Sequence, residues 1–250
     1  MEFARPLLRG VLLRRYKRFL ADVMLDDGRA VTAHCANPGA MLGLSAPGLP
    51  VWIEPNDDPR RSLRFAWRLA ELPGGGWAGI DTGVPNRIVA EALHAGAVPA
   101  LAGYDTFRAE VAYGRNSRID FLATGPGLEP AYVEVKNVHL RREDDWAEFP
   151  DCVTARGAKH LAELGHMVAA GRRSVMLYVV QRTDCGRMRL APDIDPAYAR
   201  AFAAATAAGV EAVAHVAHLS PAAVTLGGPI PLAPPPTAAG EAFASVGHWA

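Results

Sequence analysis

The sequence predicts a protein of mixed α+β or α/β class, in which a small β-barrel precedes a mixed sheet flanked by helices. The first 80 residues contain short apolar runs separated by Gly and Pro turns, which is typical of a small barrel. After residue 80, runs with helix and strand periodicity alternate. Half of the 250 residues are hydrophobic, so the chain can bury a large core.

Five strands are expected in the first domain, near residues 9–16, 19–25, 30–35, 51–55 and 62–72. The Asp26-Asp27-Gly28 stretch between the second and third strands is typical of a hairpin turn. Three consecutive glycines at 74–76 break the strand pattern and predict a boundary. We therefore assign residues 1–80 to the first domain.

The second domain, residues 81–226, is expected to run in the order helix, three strands, helix, strand, helix, strand. The predicted helices cover 85–96, 154–171 and 196–209, and the predicted strands cover 104–113, 118–123, 131–138, 174–182 and 210–219. Pro85 suits a first helical turn, and Thr154 suits an N-cap. The apolar run at 174–182 predicts a strand covered on both faces. The Pro- and Ala-rich residues 227–250 are expected to be disordered.

Composition and charge narrow the class of protein. No apolar run reaches the length of a membrane span, and the N-terminus does not resemble a signal peptide. Three distant cysteines without a CxxC pair fit a reducing cytoplasm better than a disulfide framework or a zinc site. The net charge is zero, but basic residues cluster within 1–20 and at Arg60, Arg61, Arg64 and Arg68. Such clusters bind phosphates or form solvated faces.

Charged residues interrupt two apolar strands of a predicted hairpin at residues 118–138. Asp120 lies in the first strand, and Glu134 and Lys136 lie two residues apart in the second, so their side chains share a face. Two close carboxylates repel unless a cation lies between them, and Mg²⁺ prefers such oxygen ligands. We therefore predict a Mg²⁺ (or Mn²⁺) site at Asp120 and Glu134. Lys136 is the predicted catalytic lysine, which orients a water and stabilises charge on a phosphate.

The alternative for this motif is a surface ion pair between Glu134 and Lys136 on an edge strand. The sequence context favours the metal site, because the surrounding strands are apolar and are followed by a helix and a buried strand. An acid, a loop and E-x-K on the next strand resemble the PD-(D/E)xK nuclease superfamily, although the first element here reads RID.

Longer segments resemble the sugar fermentation stimulation protein A (SfsA) family over about residues 1–226. They include RGVLLRRYKRFLADV, VTAHC, YGRNSRIDFL, YVEVKNV and TARGAKHL. The resemblance implies an N-terminal OB-like domain, a nuclease-like second domain, DNA binding with little sequence preference, and a link to the regulation of sugar metabolism. Two segments depart from the family pattern. HCPNTGSM is here HCANPGAM, which loses hydroxyls at Pro38 and Ala40, and TERGQKHL is here TARGAKHL, with Ala155 and Ala158.

Further site residues are predicted around the motif. Glu91, on the helix before the hairpin, either reaches the metal through water or pairs with Arg87 four residues earlier. Arg156 and Lys159 either meet a phosphate at the N-terminus of their helix or lie on a solvated face. The same polar face includes His160, Glu163 and His166. Gln181 either points into the cleft as a catalytic residue or caps the end of its strand.

DNA contact is predicted on the N-terminal strands, where basic and aromatic residues mix. The candidates are Arg14, Arg15, Tyr16, Lys17 and Arg18. OB folds bind nucleic acid with basic grooves and stacking aromatic side chains. Strand alternation places Arg14, Tyr16 and Arg18 on one face and Arg15 and Lys17 on the other.

These observations predict a cytoplasmic, DNA-binding, magnesium-dependent deoxyribonuclease without sequence preference. One alternative is a non-enzymatic DNA-binding transcriptional regulator with a nuclease-like fold. A more distant one is a carbohydrate-binding protein, which sugar affinity without DNA affinity would support. The sequence leaves the strandedness of the DNA and the oligomeric state open, a homodimer included.

Overall fold

A computed structural model describes residues 1–114 and 117–235, which form two β-rich domains. The strands of the first domain are β1 (Leu8–Tyr16), β2 (Leu20–Leu25), β3 (Ala30–His34), β4 (Pro50–Pro55), β5 (Phe65–Glu71) and β6 (Trp77–Gly79). They pair in the order β3-β2-β1-β4-β5-β6. A parallel pairing of His34 with Ala66 joins β3 to β5 and closes five strands into a barrel. The predicted OB-like barrel is confirmed.

The barrel forms because inward-facing apolar residues alternate along its strands. Leu12, Val23, Ile53 and Trp67 are fully buried in its core. The glycines at 74–76, predicted to mark a boundary, form the turn of the β5–β6 hairpin instead. All three have φ near +90°, a conformation that favours glycine.

The second domain begins with α1 (Val84–His94) and a 3₁₀ turn at Pro99–Leu101. Its remaining elements are β7 (Thr106–Tyr113), β8 (Ser117–Thr124), β9 (Ala131–Val138), β10 (Trp146–Phe149), α2 (Ala155–Ala169), β11 (Arg173–Val180), β12 (Arg187–Leu190), α3 (Pro196–Ala207), β13 (Glu211–Leu219) and β14 (Val224–Ile230). The main sheet has the order β14-β13-β11-β9-β8-β7. Strands β9, β11 and β13 are parallel, and the outer pairings are antiparallel. The predicted mixed sheet is therefore confirmed.

Helices cover both faces of this sheet. Ile88 of α1 packs in one core with Val133 and Val135 of β9. Leu161 of α2 packs in the other core, which also contains α3. Because side chains alternate along a strand, Glu134 and Lys136 point away from α1 and toward α2.

The structure corrects the prediction that residues 227–250 are disordered. Residues 227–230 belong to β14, where Pro229 pairs with His215, and Met188 hydrogen-bonds to Pro231 and Ala233. Proline is tolerated there because β14 is an edge strand. Residues 236–250 lie outside the described part of the chain. Strands β10 and β12 were not predicted, because each has only four residues and carries charged side chains.

The two domains are joined by backbone hydrogen bonds. Ala78 of β6 forms a bridge with Arg182, and the Gly79 amide donates to the Gln181 carbonyl at 2.9 Å. A cleft of about 410 Å³ also lies between the domains.

Among the described residues, no helix is both long and apolar enough to cross a membrane.

Candidate functional site

The β8–β9 hairpin opens at Asp120. Its pairing ends at Phe121 opposite Val133, and the β7–β8 register contains no partner for Asp120. Glu110, which would lie opposite, has a left-handed φ of 54°. The Asp120 carboxylate therefore occupies a gap between strands. Its Oδ2 accepts a hydrogen bond from the Val135 amide at 2.7 Å, and its Oδ1 accepts one from Asn86 of α1 at 2.7 Å.

Glu134 and Lys136 meet a histidine from α2. Glu134 Oε1 lies 2.5 Å from Lys136 Nζ and makes a short hydrogen bond with His160 Nδ1. Arg156 Nε donates to His160 Nε2 at 3.3 Å. Strand β9 is interior and Glu134 is only 2% exposed, so the alternative of a solvated pair on an edge strand is wrong.

The two carboxylates have opposite pKa shifts. Burial raises the pKa of Asp120, and the nearby charge of Glu134 raises it further. Burial also acts to raise the pKa of Glu134, but His160 and Lys136 together outweigh it and hold that pKa below its usual value. Glu134 is therefore ionised at neutral pH. For Asp120, in contrast, the folded structure disfavours the charged form.

Several polar atoms near this centre are buried without a hydrogen-bond partner among the described residues. They are Glu134 Oε2, Tyr113 Oη and both carboxylate oxygens of Glu163. Unpartnered carboxylate oxygens are the acceptors that a hard cation or its waters need. Within residues 1–114 and 117–235, no three His, Cys, Asp or Glu side chains converge as a metal-binding group. Mg²⁺ usually takes one or two protein carboxylates, so Asp120 and Glu134 fit it.

The structure does not bring Glu91 to this centre. Its side chain is exposed and pairs with the Met1 ammonium at 2.5 Å. It lies about 140° around α1 from Asn86, the residue that contacts Asp120. Arg87 pairs with Asp81 at 3.3 Å, so the alternative that we considered for Glu91 does not form either.

Gln181 is also separate from the cluster of Asp120, Glu134 and Lys136. It is 1% exposed and donates to Asn137 Oδ1 at 2.6 Å and to the Asp81 carbonyl at 3.2 Å. Asn137 follows Lys136 on β9 and points to the opposite face of the sheet. Gln181 therefore stabilises the domain junction.

Helix α2 contributes more to the site than its sequence indicated. Arg156 and Lys159 are exposed, but His160 and Glu163, which the sequence places on the same polar face, are each 6% exposed. Helical periodicity assigns polar residues to solvent, and it fails here because the sheet beneath α2 is itself polar at Glu134. Asn86 and Tyr113 were missed as well, since neither belongs to a recognisable motif.

The basic N-terminal residues have different roles. Strand β1 ends at Tyr16, and Lys17 and Arg18 form a turn with φ of 49° and 63°, so strand alternation does not extend to Arg18. Arg14 pairs with Asp22 at 2.7 Å and lies 4.6 Å over the Tyr16 ring.

Arg15 is held by the backbone of the barrel itself. Its guanidinium donates to the backbone carbonyls of Arg18, Asn37, Gly39 and Ala40. Only Lys17 and Arg18, of the five predicted residues, are exposed without a side-chain hydrogen bond or ion pair in the described chain.

A directed chain of hydrogen bonds runs along the cleft between the domains. Gln181 donates to Asn137, Asn137 contacts His139 Nδ1 at 2.9 Å, and His139 Nε2 lies 3.1 Å from Asp151 Oδ2. The Met41 amide of the first domain donates to the same oxygen at 3.0 Å. Burial opposes the charge of Asp151, but His139 and Met41 lower its pKa to about 2.

Comparison with known proteins places the chain in one family. Residues 83–223 match the family model described as "Sugar fermentation stimulation protein RE domain", and residues 13–80 match the "SfsA N-terminal OB domain". The "Sugar fermentation stimulation protein homolog" of Jannaschia sp. (strain CCS1) is 61% identical over 239 residues, which are 95% of this chain and 99% of that protein. The homolog of Dinoroseobacter shibae is 63% identical over 235 residues, 94% of this chain and 96% of that protein.

The fold is similar to a solved structure, that of Pyrococcus furiosus SfsA in complex with Ca²⁺. The TM-score is 0.83 at 27% sequence identity, and the match covers 93% of this chain and 98% of that one. Both family models, the relatives and the fold agree, and the chain belongs to the sugar fermentation stimulation protein (SfsA) family.

Proposed function

We propose that this protein binds DNA without sequence preference and hydrolyses its phosphodiester bonds with the help of a divalent cation. The observation that carries the proposal is the set of Asp120, Glu134 and Lys136 at the opened hairpin, in which Glu134 is buried and the other two are half-buried. Two acids and a lysine on interior strands serve no packing purpose, since buried charges cost free energy unless they are paired or bind metal.

Asp120 and Glu134 are the residues that would hold Mg²⁺ or Mn²⁺. Glu134 Oε2 is buried and accepts no hydrogen bond from the described residues, which suits an oxygen that binds a cation. The Pyrococcus furiosus relative was solved with Ca²⁺, another hard cation that prefers oxygen ligands. When bound, the cation supplies polarisation of a phosphoryl oxygen and a more acidic water.

Lys136 and His160 have separate roles in the proposed reaction. Lys136 Nζ lies 2.5 Å from Glu134 Oε1 and 3.3 Å from His160 Nδ1. Its ammonium stabilises negative charge that develops on the phosphate. His160 holds Glu134 in place, and Arg156 in turn orients the imidazole.

The barrel supplies a DNA-binding surface in this proposal. Lys17 and Arg18 are exposed at the β1–β2 turn, and Phe19 beside them stacks on His34 with a centroid distance of 6.3 Å. His34 also lines a groove of about 450 Å³ that contains Arg60, Arg61 and Phe65. Cations and exposed rings together are typical of surfaces that bind single strands.

The three free cysteines support a cytoplasmic location.

A cleavage assay tests the proposed activity. Supercoiled plasmid and labelled single- and double-stranded oligonucleotides are incubated with the protein in Mg²⁺, Mn²⁺ or EDTA. We expect cleavage with either metal, none in EDTA, and none by a Lys136→Met variant that still binds DNA. DNA that is bound but stays intact in every condition would overturn the enzymatic proposal.

A non-enzymatic DNA-binding regulator is the second candidate. It is favoured by the engagement of Glu134 Oε1 with both Lys136 and His160, which neutralises part of the site without metal. A role in regulating sugar metabolism is a proposal that rests on the name of the family. Binding to DNA with no cleavage, together with altered expression of sugar-utilisation genes in a deletion strain, would support this candidate.

A further inference from the structure

Helix α2 places a second buried acid beside the site. Glu163 lies one turn after His160, so the two side chains share a helix face, and His160 contacts Glu134 directly. Glu163 is 6% exposed, and neither of its oxygens accepts a hydrogen bond within the described chain. It forms an ion pair with Lys159 at 3.6 Å, and the Lys159 side chain is 52% exposed. That ion pair leaves most of the hydrogen-bonding capacity of Glu163 unused.

The hydroxyl of Tyr113 faces the same space. Tyr113 is 7% exposed, and its Oη has no hydrogen-bond partner in the described residues. Burial raises the pKa of this phenol, and the charges of Glu134, Glu163 and Asp120 raise it further. The next residue is Gly114, at which a Cβ would lie 3.4 Å from the Glu163 carboxyl carbon. Tyr113 and Glu163 are therefore neighbours, and both lie near the two acids of the motif.

Within this space the charges are unbalanced. Three carboxylates, those of Asp120, Glu134 and Glu163, share it with the ammonium of Lys136. The two further cations of α2, Arg156 and Lys159, have exposed side chains. A divalent cation would offset the excess negative charge. No three such side chains converge as direct ligands in the described chain, so Glu163 does not join Asp120 and Glu134 in the inner coordination sphere. Mg²⁺ and similar ions keep several waters, and those waters need acceptors.

We propose that Glu163 and Tyr113 bind the waters coordinated to the cation held by Asp120 and Glu134. The two oxygens of Glu163 accept hydrogen bonds from these waters, and the Tyr113 hydroxyl contacts the same water layer. The ligand is thus a hydrated divalent cation, anchored from α2 as well as from the hairpin. This inference rests on the proposed metal site and assigns it residues outside the E-x-K motif.

Calorimetric titration of Mn²⁺ into the metal-free full-length protein tests the inference. Removal of residues that orient metal ligands and waters typically weakens metal binding about 10- to 100-fold. We expect that loss of affinity in Glu163→Gln, a loss of about 10-fold in Tyr113→Phe, and no measurable binding in Asp120→Asn. Glu91→Gln is the matched control, since Glu91 is an exposed acid on another helix, and its affinity should equal that of the wild type.

The outcomes separate this inference from the metal site itself. Wild-type affinity in Glu163→Gln, with binding abolished in Asp120→Asn, would overturn the inference and leave the metal site standing. No binding of Mn²⁺ by the wild type would overturn both. Thermal melts of the metal-free proteins give a second readout. Glu163→Gln should be at least as stable as the wild type, because it removes a poorly compensated buried charge. Lower stability with unchanged Mn²⁺ affinity would make Glu163 a structural partner of Lys159 instead.

Discussion

The Asp120 carboxylate accepts a hydrogen bond from the Val135 amide at 2.7 Å. At this point of β9 a side chain therefore binds the amide that a backbone carbonyl of the neighbouring strand would bind in regular pairing. Val135 lies between Glu134 and Lys136, and the hydrogen bond therefore fixes the acid of one strand against the acid and lysine of the next. Asn86 orients the second oxygen from α1. The geometry of the motif depends on this break in the regular pairing of the hairpin.

Asp120→Asn should retain or increase the stability of the metal-free protein. Burial and Glu134 make the charged carboxylate unfavourable, and an amide still offers an acceptor to Val135. Saturating Mn²⁺ should raise the melting temperature of the wild type by mass action but not that of the variant. Differential scanning calorimetry with and without Mn²⁺ measures both effects. A variant that melts lower without metal, and still responds to it, would show that Asp120 only caps the strand.

Glu134→Gln should have the opposite effect on the metal-free protein. The pKa of Glu134 is lowered by His160 and Lys136, so its charge stabilises the fold, and that stability is present above its ordinary pKa of 4.5. Removing one member of a buried ion pair typically costs about 3–5 kcal/mol. Urea unfolding at pH 7 measures the change in stability. Equal stability of variant and wild type would show that burial cancels the stabilisation from Lys136 and His160.

Asp151 should make the stability of the protein depend on pH in the acid range. Its folded-state pKa of about 2 lies below its ordinary value of 3.8, so its carboxylate stabilises the fold above about pH 4. This contribution disappears as the pH falls toward 2, and the shift corresponds to about 2 kcal/mol. Asp151→Asn should be destabilised by that amount at pH 7, with the difference shrinking toward pH 2. Asp57→Asn, an exposed acid paired with Arg5, is the control and should change little.

The double variant Lys17→Gln, Arg18→Gln should weaken binding to all DNA sequences alike. Both side chains are exposed and make no internal hydrogen bond or ion pair within the described residues, so the fold should be preserved. The slope of log K against log salt should become shallower by about 0.9 for each phosphate of duplex DNA that the variant no longer neutralises. Fluorescence anisotropy over a range of salt concentrations measures this slope. Arg29→Gln, in the β2–β3 turn, is the matched control; an equal reduction in both proteins would argue for diffuse rather than local binding.

Strand periodicity was sufficient to place Glu134 and Lys136 on one face and to predict most strands of the two six-stranded sheets. The alternation of side chains along a strand is a local property of the backbone, so it can be predicted without knowing which strands pair. The opening of the hairpin at Asp120 is not local. It depends on Asn86, which lies 34 positions earlier, and on the irregular backbone of Glu110 in the adjacent strand. No pattern within the hairpin reveals either feature.

The direction of two sets of side chains could not be predicted, because the partners of a side chain are set by tertiary contacts. Glu91 suits a metal site by its position before the hairpin, but its side chain pairs with Met1. The polar face of α2 with His160 and Glu163 was left open between solvent and a phosphate, but α2 packs over Glu134 of the sheet. In both cases the sequence identified a chemically relevant residue but could not predict where its side chain points. That direction depends on how the helix is rotated against the sheet.

The hydrogen-bond chain from Gln181 to Met41 limits how freely the two domains can be recombined. A second domain separated at residue 81 would lack the Met41 amide that helps to hold Asp151 charged, and would expose His139 and Gln181 at a cut surface. A barrel from another protein would need a loop with an amide at the same point. A gene fusion or truncation at the junction would therefore break hydrogen bonds that hold the two domains of this chain together.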